Sequence, residues 1–123
     1  MSATLACWEP SVGLNPESDD FDERFYAVQR ARLPPSPKML AFLEFLLARF
    51  PEYSQTASAE ENEKTIWAAG PLIRELSGGF MHVAIRWKFY DEARLFIRPA
   101  ARQFGLDFYD PQERQYIPAD QIQ

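Results

Sequence analysis

Residues 80–112 constrain the fold more tightly than any other part of the chain. Met81, Val83, Ile85 and Trp87 alternate with His82, Ala84 and Arg86, the period of a strand with one buried face. From Phe89 the spacing lengthens. Phe89, Ala93, Phe96, Ile97, Ala100 and Phe104 fall three or four apart, while Asp91, Arg94, Arg98 and Arg102 point elsewhere, which predicts an amphipathic helix. Gly105 offers the left-handed residue that stops such a helix. Residues 106–109 then suit a strand, Asp110 and Pro111 fit the first two positions of a type I turn, and residues 115–117 can return as a hairpin partner. Pro99 opposes the helix, because an interior proline costs roughly 3 kcal/mol. A helix kinked at Pro99 is the preferred reading, since the apolar spacing continues across it; the alternative extends 93–98 and begins a short helix at Pro99.

Upstream, the short apolar run from Thr4 to Trp8, closed by Pro10, predicts a strand. A loop over 11–20 follows. Ser18 or Asp20 is positioned to cap a first helix, with Asp22 and Glu23 in its opening turn, where the helix dipole favours negative charge, and Phe21, Phe25 and Val28 on one face. Ser36 followed by Pro37 is a strong start signal for a second helix over 37–50. There Met39, Leu40, Phe42, Leu43, Phe45, Leu46, Leu47 and Phe50 cover more than half the circumference, so this helix is expected to be the most buried, against a sheet and another helix. Residues 54–64 read as an exposed polar loop, 65–69 as a strand closed by Gly70-Pro71, and 72–76 as a helical turn or an irregular crossing. Ser77, Gly78 and Gly79 form a turn into the strand at 80. The expected fold class is α+β: a single domain spanning 1–123, with a four- or five-stranded antiparallel or mixed sheet, two or three helices mainly on one face, and a frayed tail over 118–123.

The 123 residues suit one domain, and 46% apolar and 15% aromatic content supply a core without covalent staples. The lone Cys7, beside Trp8 in the apolar run, is expected to be a packed residue rather than a reactive thiol. A single cysteine and no secretory segment over residues 1–10 lead to an expected reducing, cytoplasmic location. No apolar stretch reaches the ~20 residues of a membrane span. The formal net charge is −5, and Arg24, Arg30 and Arg32 sit amid acids, so nucleic acid is not an expected partner.

No arrangement of reactive side chains declares an enzyme. His82, the sole histidine, is expected to be a surface or hydrogen-bonded structural residue, and no serine lies in a nucleophile-elbow pattern. Asp19, Asp20, Asp22 and Glu23 lack the spacing and central glycine of a calcium loop and are better explained as a helix start. Asp107 and Asp110 flank Phe108 and Tyr109, but sequence alone gives no separation for a paired-carboxylate glycosidase. Gly78-Gly79 precedes a strand and is no phosphate cradle. No metal or cofactor is expected. Trp8, Trp67 and Trp87 are assigned to strands and to the core, and the aromatic surplus leaves Tyr90, Tyr109 or Tyr116 at a rim that an interface or ligand can use.

The segment Ile85-Arg-Trp87, followed by Ala100-Ala-Arg-Gln-Phe-Gly-Leu-Asp-Phe-Tyr-Asp-Pro-Gln112, resembles the ending of a group of small, mostly uncharacterised bacterial proteins, over a quarter to a third of the chain. There a helix closes with a Gly-Leu step into a strand and a Tyr/Phe-Asp-Pro-Gln turn. Some of that group lie beside toxin genes, which implies an immunity or accessory role and supplies no catalytic residue. Two expectations follow. The first is a small, soluble, non-enzymatic interaction protein binding another, cognate bacterial protein, with a homo-oligomer left open. The alternative is a small-molecule-binding or enzymatic domain with a pocket near Trp87 and Tyr109, in which Arg86, Asp110 and Gln112 supply polar contacts. If the Asp-Pro-Gln motif is instead a folding device, Asp110 bonds its own turn and Gln112 faces solvent.

Overall fold

The apolar run near the start of the chain becomes the middle strand of a sheet because both of its faces find cover. In the computed structural model, which describes residues 2–54 and 56–120, five strands are hydrogen-bonded antiparallel: β1 (Ser2–Trp8), β2 (Leu76–Ser77), β3 (Phe80–Arg86), β4 (Asp107–Asp110) and β5 (Gln115–Ile117). Their order is β2-β3-β1-β4-β5. Every residue of β1 pairs with β3, from Ser2 opposite Arg86 to Trp8 opposite Phe80, and its last three pair with β4. The helices are α1 (Phe21–Ala31), α2 (Pro37–Arg49), the short α3 (Ala59–Asn62) and α4 (Tyr90–Gln103). The result is the expected α+β fold.

The alternation along β1 and β3 decides which helix goes where. Ala3, Leu5, Cys7, Met81, Val83 and Ile85 share one face with residues of α2 and α4, forming the larger apolar cluster. Ala6, Trp8 and Phe80 point the other way and meet Phe21, Phe25 and Val28 of α1. Two of the three long helices thus lie on one face, and α1 closes a smaller aromatic cluster on the opposite one. Trp8 stacks between Phe80 and Tyr116, with ring centroids 6.3 and 6.0 Å away.

Local signals place the helix ends. Ser36 Oγ accepts the Met39 amide at 3.1 Å and donates to Glu9 Oε2 at 2.6 Å, so the cap of α2 is also tied to the end of β1. α4 runs through Pro99, whose ring is exposed, and ends before Gly105 at φ +70°. The breadth of the apolar surface on α2 overstates its burial. Met39, Phe42, Leu43 and Leu46 are buried, but Leu40 faces solvent, and α4 buries five residues to these four. Small alanines at 93, 100 and 101 let α4 approach the sheet closely, whereas α2 leans on it through long side chains.

Three segments depart from expectation. Residues 65–69 form no strand: Trp67 makes a single bridge to Ile85, flanked by bonds from Arg86 N to Ile66 O and from Ala68 N to Ala84 O. Gly70-Pro71 then turns the chain away from β3 before a ladder can grow. Trp87 has left β3 for a tight turn, Trp87–Phe89, and is 43% exposed rather than in the core. The polar segment 54–64 carries α3, capped by Ser58, and buries Asn62, whose amide exchanges bonds with the backbone of Ser54 at 2.7 and 3.1 Å. In the tail, the Ala119 amide donates to Asp107 Oδ1 at 2.7 Å, which anchors that residue; residues 121–123 lie outside the described residues.

Leu43 is 6% exposed in the larger cluster. Leu43→Ala is expected to lower the unfolding free energy by roughly 2–5 kcal/mol through the cavity it leaves, read by urea titration. A loss below about 1 kcal/mol would contradict this packing.

Candidate functional site

The residues proposed from sequence to line a ligand pocket separate into a buried polar hub and side chains on the opposite face. Asp110 is fully buried at the end of β4. Its Oδ1 accepts the Gln112 amide at 2.9 Å, Gln112 Nε2 at 2.7 Å and the Glu113 amide at 3.3 Å. Its Oδ2 accepts the Tyr90 hydroxyl and lies 3.9 Å from Arg94 Nε. Burial first, and then the bond to Asp110, push the Tyr90 phenol well above its ordinary value. Trp87 packs edge-on against Tyr90 at 5.4 Å. Asp110, Gln112 and Trp87 are therefore linked through Tyr90, with the carboxyl oxygens occupied by the protein itself.

Gln112 does not face solvent. Thr4 N donates to its Oε1 at 2.8 Å, and its Nε2 donates to Thr4 O at 2.7 Å. The reason is stereochemical. β4 pairs with β1 as far as Tyr109 opposite Ala6, and extending that register would bring Pro111, which has no N–H, opposite Thr4. The Gln112 carboxamide takes the place of the missing peptide group.

Tyr109 and Arg86 lie on the α1 face of the sheet. Tyr109 packs edge-on to Phe21 at 5.2 Å and borders an open cleft of about 490 Å³ with Tyr116, Pro16, Glu17, Pro111 and Arg114. Trp87 is not among its walls. Arg86, paired with Ser2, is half-buried and does not reach that cleft.

The remaining reactive groups are held in structural roles. Cys7 is buried, and desolvation, with a smaller contribution from Asp107, drives its thiol far above the ordinary range. Asp107 accepts Tyr116 OH at 3.2 Å as well as the Ala119 amide, and the Tyr116 phenol is pushed up to about 12, chiefly by burial. His82 lies under α1, edge-on to Phe25 at 5.0 Å, with its Nδ1 accepting from Gln29 Nε2 at 2.8 Å. Among the described residues no group of three or more His, Cys, Asp or Glu is arranged to hold a metal ion, and no helix is long and apolar enough to cross a membrane.

A wide concavity lies where the residue pattern offers no signal. The C-terminal end of α1 and the segment 69–77 enclose an open cleft of about 950 Å³. Arg30, Arg32 and Arg74 line it, with Gln29, Glu75 and Ser77 among its other walls. Arg32 caps α1 with a left-handed backbone at φ +46°, which turns the chain so that Leu33 meets the β2–β3 hairpin. There Leu33 N donates to Ser77 Oγ at 3.1 Å, and Ser77 Oγ donates to Val28 O at 2.7 Å. Arg74 arrives from the helical turn Leu72–Glu75. Burial raises the Glu75 carboxyl pKa, opposed by the nearby Arg32. Among the described residues, none of the three arginines forms an ion pair. Comparisons with protein-family models, curated proteins and solved structures return no match to this chain.

Burial lowers the His82 pKa below its ordinary 6.5, so the folded state prefers the neutral ring and the unfolded chain takes up a proton first. The stability this gives is complete above 6.5 and is lost as pH falls through the lowered folded value. Denaturant titrations across that range are expected to show wild type weakening on acidification relative to His82→Gln. Identical pH dependence of the two proteins would contradict the burial assigned to the ring.

Proposed function

We propose that this chain is a non-enzymatic binding protein whose partner is another protein, docked at the corner where α1 ends beside residues 69–77. The observation that supports this most is the composition of that corner. Arg30, Arg32 and Arg74 line the cleft. Tyr26, one helical turn before Arg30, is 58% exposed; Leu33, next to Arg32, is 54% exposed; Ile73, next to Arg74, is 44% exposed. Arginine and aromatic side chains, with apolar neighbours able to exclude water, are the residue types that dominate interface energetics. The rest of the surface carries the excess of acids that gives the chain its net −5.

The resemblance of the C-terminal motif gives this reading a sharper form: an immunity or accessory protein that occupies a bacterial toxin or its assembly partner, acting inside the cytoplasm. Such a role needs a complementary surface and no arranged nucleophile. The motif itself would then serve the fold, since Asp110 and Gln112 spend their polar atoms on Tyr90, the turn and Thr4.

The test is position-specific photocrosslinking of the full chain in cells that carry it naturally. A photoreactive residue replacing Ile73 is expected to give one discrete protein adduct. The same residue replacing Ala41, exposed on α2 across the sheet, is expected to give none. Equal products from both positions, or a bound metabolite in place of a protein adduct, would overturn the proposal.

A further inference from the structure

The cleft carries an unbalanced charge, and that points to the chemistry of whatever fills it. Three arginines line about 950 Å³ of open space against one acidic residue, Glu75. That carboxyl is itself half-buried, and burial works against its charge. Two of the arginines stand at the C-terminal end of α1, where the helix dipole already favours a cation. The dipole accounts for the presence of Arg30 and Arg32. It does not account for Arg74, which comes from a separate segment more than forty residues later and lines the same space.

We infer that the cleft takes an acidic peptide segment of the partner, with carboxylates engaging Arg30, Arg32 and Arg74 and apolar side chains covering Tyr26, Leu33 and Ile73. This rests on the binding-protein reading above and names the chemistry of that same site. Guanidinium groups pair with carboxylates through parallel hydrogen bonds, which fix orientation as well as add energy. A peptide suits the surroundings better than other polyanions do. The acids Asp19, Asp20, Asp22 and Glu23 lie around the first turn of α1, about 15 Å along the helix from Arg30. An extended nucleic-acid backbone leaving the cleft in that direction would be repelled, whereas a short acidic stretch ends before it. A free phosphate or small polyphosphate, for its part, would leave the exposed tyrosine, leucine and isoleucine uncovered.

The test uses the full chain and a fluorescein-labelled peptide of glutamate, leucine and serine, read by fluorescence anisotropy. Its controls are the same peptide with glutamine for glutamate, tripolyphosphate, and single-stranded oligonucleotide. The glutamate peptide is expected to bind and to weaken as salt rises from about 50 to about 200 mM. Arg30→Gln and Arg74→Gln, both at exposed positions, are each expected to cost about fivefold in Kd or more, with Arg74→Lys recovering part of the loss. Circular dichroism confirms that each variant is folded. Equal binding of the glutamine peptide would overturn the inference, as would tighter binding of tripolyphosphate or oligonucleotide, or a Kd unchanged in both glutamine variants. A partner that still crosslinks at Ile73 in the Arg30→Gln/Arg74→Gln protein would overturn the acidic-segment assignment while leaving the binding-protein reading in place.

Discussion

A carboxyl group with no access to water is a liability unless donors surround it, and Asp110 is surrounded from three directions. The turn supplies the amides of Gln112 and Glu113, α4 supplies Tyr90 OH with Arg94 behind it, and the Gln112 side chain adds a further N–H. The donors come from two parts of the structure, the β4–β5 turn and α4, so satisfying one side chain fixes the hairpin and the helix relative to one another. Gln112 passes the constraint onward, because the amide that donates to Asp110 also closes on the backbone of Thr4 in β1. Leaving any of these groups unpaired in the interior costs about 1–3 kcal/mol, more than a typical bond contributes when made. The hub therefore selects one arrangement of β1, β4 and α4 from several that apolar packing alone would tolerate.

Once β1 is held there, the rest of the architecture follows from alternation. Ala3, Leu5 and Cys7 face α2 and α4, while Ala6 and Trp8 on the other side meet α1, and both of these apolar sets are covered. Alanine at 3 and 6 admits the flanking layers closely, while Trp8 fills the α1 side where the helix begins. The cover on that side is incomplete. α1 reaches Phe80 and His82 through Phe25, but Ala84 and Arg86 farther along β3 remain only half-buried. The end of α1 leaves the cleft open against residues 69–77, and there the surface changes from acidic to basic.

Where structure depends on neighbours in the chain, the sequence was legible. Gly105 at positive φ, Asp110 before Pro111, and Ser36 before Pro37 each do the local job their residue types allow. The same alternation that located β3 misplaced Trp87, because a period of two says nothing of where a strand ends, and the turn Trp87–Phe89 opens directly into α4. Residues 65–69 have the composition of a strand yet make only one bridge, since Gly70-Pro71 removes the chain from β3. Gln112 was beyond reach for another reason: its partner, Thr4, lies 108 residues away. The basic cleft was hidden in the same way. Arg30 and Arg32 follow acidic residues in sequence and look neutralised, but the helix carries those acids to its far end, and Arg74 joins only through the tertiary fold.

The central physical claim is that Asp110 couples α4 to β1, and a double-mutant cycle tests it most directly. Tyr90→Phe removes the donor from α4, and Gln112→Ala removes the link to Thr4, while Asp110 itself is retained. The two side chains meet only through Asp110 in the bonds described above. Unfolding free energies of the single and double variants, measured in urea, are expected to depart from additivity by about 0.5 kcal/mol or more. Additivity within about 0.3 kcal/mol would contradict the account, since it would mean that the helix and the strand are held independently.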